Sequence, residues 1–145
     1  SNVLMEASSP GSGNVYDLLK ADPNTNFTTS NKQNSFIKAS FKDGKTFILK
    51  SYMIKGNKFE YNHLQNWKLE GQKVSNGEWI LLDRHSDEPF KKLEVKSFDV
   101  SCEEELKAVK LTQEGKNTQG QNAEYGGNRL VINAFDIFGV LINEN

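Results

Sequence analysis

The stretch Lys55-Gly56-Asn57-Lys58-Phe59-Glu60-Tyr61-Asn62-His63 carries the densest set of side chains with recognition chemistry in this chain. Sugars are gripped by planar amides and charged groups at their hydroxyls and by an aromatic ring against their C–H face. Phe59 or Tyr61 with Asn57, Asn62 and His63 supplies those groups. The same residues have a structural use: Phe59 and Tyr61 can fold back onto a core, and His63 can bond the loop's backbone. For His63 that structural use is favoured, because it stands just before a strand that reads as buried.

A second stretch, Asp83-Arg84-His85-Ser86-Asp87-Glu88, sets a base, a hydroxyl and carboxylates side by side. A catalytic triad is assembled in space from separated segments, whereas neighbours in a tight turn point in different directions. A solvated hairpin end is the expectation here, with Arg84 pairing Asp87 or Glu88. Cys102 has no suggestive partner and reads as a small buried apolar residue. The sequence holds no glycine-rich phosphate loop, no histidine cluster of metal-ligand spacing and no carboxylate pair of catalytic spacing, so it does not read as an enzyme.

The positioning framework is β-rich. A chain of 145 residues is about one domain and long enough to bury a core without metals or disulfides. Its net charge of -1 argues against a generic phosphate-backbone binder, so nucleic acid is not expected, and neither is strong attraction to an anionic membrane. A single cysteine excludes an intrachain disulfide and favours a reducing, cytoplasmic compartment, with an extracellular setting as the alternative. No apolar run is long enough to span a bilayer as a helix. Asn26-Phe27-Thr28 matches a glycosylation acceptor, a triplet that arises easily by chance in an asparagine-rich chain.

Along the chain, Val3 to Ala7 reads as a first strand, and Ser8 to Gly13 as a loop. Val15 to Lys20 can make one helical turn before Asp22-Pro23-Asn24-Thr25-Asn26 bends the chain. Ile37, Ala39 and Phe41 alternate with Lys38 and Ser40, and Asp43-Gly44 is a strong hairpin signal into a strand from Phe47 to Lys55. Trp67 and Leu69 alternate with Lys68 and Glu70, and Trp79 to Leu82 returns to form a long hairpin. Both tryptophans read as core or cross-strand partners. Leu93 to Phe98 and Leu106 to Leu111 continue the pattern, with Glu103-Glu104-Glu105 as solvated surface. Short strands at even spacing with almost no helix predict a β-sandwich or jelly roll.

Three blocks add a resemblance: Val15 to Leu19 with Asp22 to Phe27; His63-Leu64-Gln65-Asn66-Trp67-Lys68-Leu69-Glu70-Gly71; and Leu111 to Asn122 with Leu130 to Leu141, which includes Phe135-Asp136-Ile137-Phe138-Gly139. From Val15 to Leu141 the chain resembles the discoidin-like, or coagulation factor 5/8 type C, domains, and it is closest in flavour to intracellular protist versions. Lys20-Ala21-Asp22 stands where the family often shows Asp-Gly-Asp. The disulfide that joins the chain ends in many secreted members is absent.

The resemblance implies an all-β, eight-stranded jelly-roll β-sandwich of the galactose-binding domain-like fold. Residues 1–145 would form one domain excised from a larger protein, with the termini at one end and ligand-binding loops at the other. Those loops would be Thr28 to Ser35, Gly56 to Asn66 and Lys116 to Asn128, the last with an apparent insertion at Ala123 to Gly127. Asn31, Gln33, Asn122 and Tyr125 would then join Asn57, Phe59, Tyr61, Asn62 and His63 around a mouth. No cofactor is required, although some members hold a structural calcium. Asp22, Asn24, Thr25 and Asp136 match such a site, and turn capping by Asp22 and Thr25 is the slightly favoured alternative. The function implied is a non-catalytic recognition module for a protein partner or a carbohydrate. Lipid binding ranks third, because Thr29 to Asn34 offers no bulky apolar tip.

Overall fold

The computed structural model describes residues 2–20, 22–120 and 126–143. Among these residues the chain forms nine strands: β1 Val3–Ala7, β2 Phe27–Thr28, β3 Phe36–Phe41, β4 Thr46–Gly56, β5 Trp67–Lys73, β6 Trp79–His85, β7 Val95–Asp99, β8 Leu106–Gln113 and β9 Val131–Ile142. A single 3-10 turn, Val15–Leu19, follows β1. Asn14 caps it, accepting from the Tyr16 amide at 2.9 Å, while Asp17 Oδ2 accepts in return from the Asn14 amide. The ninth strand beyond the expected eight is accounted for by β2, two residues long.

Every ladder between named strands is antiparallel, and the pairings resolve into two layers. One runs β1-β3-β8-β5-β6 and the other β7-β4-β9-β2. They meet at the single pair Phe47↔Leu106, so one curled sheet folds over on itself as a sandwich. Alternation decides what faces inward. Ile37 and Ala39 on β3, Leu49, Tyr52 and Ile54 on β4, Trp67 and Leu69 on β5 and Leu111 on β8 are buried between the layers.

The expected hairpin at Asp43-Gly44 does not form, although the turn does. Both residues adopt positive φ, 57° and 69°, and the Lys45 amide donates to the Lys42 carbonyl at 3.0 Å. Yet β3 pairs with β1 and β8 while β4 pairs with β7 and β9, so the turn carries the chain from one layer to the other. The rings of Phe41 and Phe47 stack at 5.0 Å on either side of it, and that packing outweighs the local preference for adjacent strands.

At the flank where β6 approaches β7, a chain of polar groups leads outward from the core. Trp67 Nε1 donates to the Tyr52 hydroxyl at 3.1 Å, and Tyr52 donates to Asp83 Oδ2 at 2.6 Å. His85 Nε2 lies 3.0 Å from the same oxygen, and its Nδ1 bonds Glu88. The His85 ring packs on Trp67 at 4.9 Å and Phe98 at 4.2 Å. Burial raises the Tyr52 pKa, so the phenol stays a donor. Asp83, Arg84 and His85 are therefore strand residues of β6. Arg84 pairs with neither expected partner and forms a bidentate bridge to Glu114, 2.8 and 3.2 Å. Cys102 is buried, 5% exposed.

Candidate binding mouth at the loop end

The two longest strands set the geometry. β4 ends at Gly56 and β9 begins at Val131, so the loop after β4 and the segment before β9 emerge side by side. The Thr29 to Ser35 loop joins them: the Asn128 amide donates to Asn31 Oδ1 at 3.0 Å, and Ser35 Oγ donates to the Asn128 carbonyl at 3.2 Å. His63 and Thr118 bond reciprocally: the Thr118 amide donates to the His63 carbonyl at 2.9 Å, and the His63 amide donates to the Thr118 side-chain Oγ1 at 2.8 Å. The three expected loops thus converge at one end. Asn122 and Tyr125, and residues 123–125 of the insertion, lie outside the described residues.

Buried asparagines hold this end together. Asn57 is 0% exposed; its amide nitrogen faces the carbonyls of Tyr61, Asn62 and Val131 at 3.1, 3.2 and 3.4 Å, and its Oδ1 accepts from the Phe59 amide at 2.7 Å. Asn117 repeats the device, donating to the Gly126 and Arg129 carbonyls at 3.0 and 2.9 Å and accepting from the Gln119 amide. The expectation that Asn57 touches a ligand is therefore corrected: its hydrogen-bonding capacity is spent on shaping the loop. His63 is likewise buried, 6% exposed, and takes the structural use. Burial lowers its pKa, opposed by a bond to the Phe59 backbone and by Glu60 and Glu94.

What the folded loop presents outward is aromatic. Phe59 and Tyr61 are 37% and 50% exposed, and their rings stack in parallel with centroids 5.2 Å apart. They do not fold onto the core. The Lys58 ammonium lies 5.5 Å from the Phe59 centroid and donates to the Asn24 carbonyl. Beside Phe59 opens a groove of about 540 Å³, lined by Gly11, Ser12, Thr28, Ser30, Phe59, Asn62, Arg129 and Val131. Asn62 reaches it from a left-handed backbone, φ 59°. Gln33 stays exposed on its loop, and Asn31 is engaged with the neighbouring loop.

Sequence reasoning missed Arg129, one of only two arginines in the chain. Its amide donates to Gly126 O, and its carbonyl accepts from Gln113 Nε2 at 3.1 Å and from Asn117. Scarcity of arginine in a lysine-rich chain was the one available signal.

The Asp22 turn answers the calcium expectation. Asp22 Oδ1 caps the Asn24 amide at 2.9 Å, and Thr25 Oγ1 donates to the Asp22 carbonyl at 3.1 Å. The carbonyls of Asp22 and Thr25 both accept from Asn133 Nδ2, the first at 2.9 Å. Asn133 is the unpaired residue of a β-bulge between Ala134 and Ile132 of β9, which turns its side chain towards the turn. Hard cations take oxygen ligands, and here an amide nitrogen occupies the point on which the carbonyls converge. Asp136 is exposed, accepts from the Ile137 amide and lines a groove with Leu19, Phe41 and Phe135. The residues at the turn do not fit a calcium ion.

No family profile matches the sequence, and no curated protein matches it in sequence. Solved structures match the fold. A Clostridium perfringens module, CBM32-5 of CpGH89 in complex with GalNAc-β-1,3-galactose, superposes with TM-score 0.74 at 11% identity over 95% of this chain and 96% of that one. The family 32 carbohydrate-binding module of C. perfringens NanJ, in complex with galactose, gives TM-score 0.71 at 12% identity, 94% and 93% covered. A C. perfringens ZmpB structure containing CBM32-1, CBM32-2 and M60 catalytic domains gives 0.72 at 18% identity over 96% of this chain and 14% of that one. The chain thus has the galactose-binding-like, discoidin-type β-sandwich fold that its sequence blocks suggested. These matches lend no support to the protist affinity.

Proposed function

We propose that this chain is a non-catalytic carbohydrate-recognition module that binds a saccharide at the loop end of the sandwich. The observation that carries the reading is the exposed, parallel Phe59–Tyr61 pair set beside a groove walled by Ser12, Ser30, Asn62 and Arg129. A sugar's C–H face packs on an aromatic surface while its hydroxyls meet side-chain oxygens, amides and guanidinium donors. The fold neighbours that hold galactose-type sugars, and the ZmpB protein in which such modules accompany a catalytic domain, support the reading and the further proposal that this unit serves a larger protein. Under it, the extracellular alternative is the consistent compartment.

A glycan-array screen followed by titration of each hit tests the proposal. A saturable hit that Tyr61→Ala weakens at least tenfold, with melting unchanged, is the expected result. A blank array from folded protein would overturn it and direct attention to a protein partner.

A further inference from the structure

Resting on that reading, we infer that the groove selects a carboxylated sugar, a uronic acid residue, through the lateral edge of the Arg129 guanidinium. Arg129 is the only formally charged residue lining the groove among the described residues. Its Nη1 donates to the Thr29 carbonyl at 2.9 Å, and among the described residues Nε and Nη2 have no hydrogen-bond partner. No carboxylate lies within ion-pair distance of it among the described residues, although the chain as a whole carries slightly more acids than bases.

An arginine with no counter-ion among the described residues, in a concave, part-buried setting, is suited to an incoming anion, because a desolvated charge is costly until a partner arrives. The guanidinium presents parallel N–H groups in a rigid fork whose spacing matches a carboxylate, and charge-assisted bidentate pairs are roughly twice as strong as neutral hydrogen bonds. Here the fork is pre-oriented. The Thr29 carbonyl fixes one end, and the backbone of residue 129 is held by bonds involving Gly126, Gln113 and Asn117. Gly126, at φ +77°, leaves room for the stem: a Cβ there would lie 2.6 Å from Arg129 Cδ.

Lys58 adds a second positive charge beside the Phe59 ring, also without a carboxylate partner among the described residues. The one acid on that loop, Glu60, is 81% exposed and pairs with Lys92 at 3.5 Å. A sugar seated in the groove beside Phe59 would thus meet a cationic wall.

The test is calorimetric titration of the whole chain with matched pairs, galactose and galacturonate, glucose and glucuronate, mannose and mannuronate, with galactose 6-sulfate as a further arm. Titrations run at about 20 and 300 mM salt, on wild type and Arg129→Gln. At least one uronate should bind about tenfold more tightly than its neutral partner at low salt. That advantage should shrink at high salt and vanish in Arg129→Gln, for which the acidic and neutral partners should bind within about twofold of each other while its melting matches the parent. Arg129→Lys should recover only part of the preference, a result that a merely structural arginine would not give.

Equal binding of neutral and acidic partners, or a uronate preference untouched in Arg129→Gln, overturns the inference while leaving carbohydrate recognition standing. Preference for the sulfate over every uronate overturns the assignment to a carboxylate. Binding of none of these sugars, joined to a blank array, sinks the inference together with the function on which it rests.

Discussion

At the scale of single residues, the loop end separates asparagines that build from aromatics that face outward. Asn57→Ala removes the donor shared by three carbonyls and the acceptor for the Phe59 amide, groups that become unsatisfied in a buried setting. It should cost about 1–3 kcal/mol in chemical denaturation and abolish saccharide binding by collapsing the loop. Tyr61→Ala, half exposed, should alter stability by no more than about 0.5 kcal/mol and act on affinity alone. Equal destabilisation by the two would erase the distinction. His63 supplies a pH test. Burial depresses its pKa, so as pH falls through the unfolded value, about 6.5, the unfolded chain takes up the proton first. Stability is full above that value and declines below it until the folded ring also titrates. The denaturation midpoint should fall between pH 7 and 5 in the parent and fall less in His63→Gln. The residue types of this end were legible in the sequence; their division of labour was not. Asn57 and Asn62 look alike in a polar loop, and only the approach of Val131 from a strand 74 positions away decides which amide is consumed.

At the scale of elements, strand limits were readable wherever alternation and punctuation agreed, as at Val3–Ala7 and across the Trp67–Trp79 hairpin. Legibility failed where partner choice depended on packing. The Asp43-Gly44 pair dictates a tight turn, but the stacked Phe41 and Phe47 rings send the next strand into the opposite layer. The bulge at Asn133 was equally hidden, since one extra residue in β9 shows only against its partner β4. That bulge makes a prediction about metals. If Asn133 Nδ2 holds the Asp22 and Thr25 carbonyls, melting should be indifferent to calcium and chelator, and Asn133→Ala should lower stability by about 1–3 kcal/mol. Asn133→Asp puts a carboxylate against two carbonyl oxygens, a set suited to a hard cation, so that variant should be destabilised in chelator and recover with calcium. A parent protein whose melting rises with calcium would refute the amide's role. On the other flank, Tyr52→Phe strips the acceptor from Trp67 Nε1 and the donor from Asp83, and should cost about 1–3 kcal/mol although the ring's packing is retained.

At the scale of the whole molecule, β4 and β9 run nearly its full length and keep its two ends apart. β4 carries Thr46, paired with Ile142, at one end and Gly56, beside the mouth, at the other; eleven residues of strand separate them by roughly 35 Å. β1 starts opposite Phe41 and runs towards the groove wall at Gly11 and Ser12, so Asn2 and Leu141 come together beside the Asp43-Gly44 turn. Trp67 is fully buried between the layers, and Trp67→Ala should cost about 3–5 kcal/mol in a single cooperative transition. The separation of ends has a binding consequence. A globular partner fused at either terminus emerges away from the mouth and cannot reach Phe59, Tyr61 or Arg129 without a linker of comparable length. Saccharide affinity of an amino-terminal and of a carboxy-terminal fusion should therefore stay within about twofold of the free chain. The same partner inserted between Glu60 and Tyr61 should abolish binding while the sandwich still melts cooperatively. Loss of affinity on terminal fusion would move the binding surface away from the loop end and towards the faces of the sandwich.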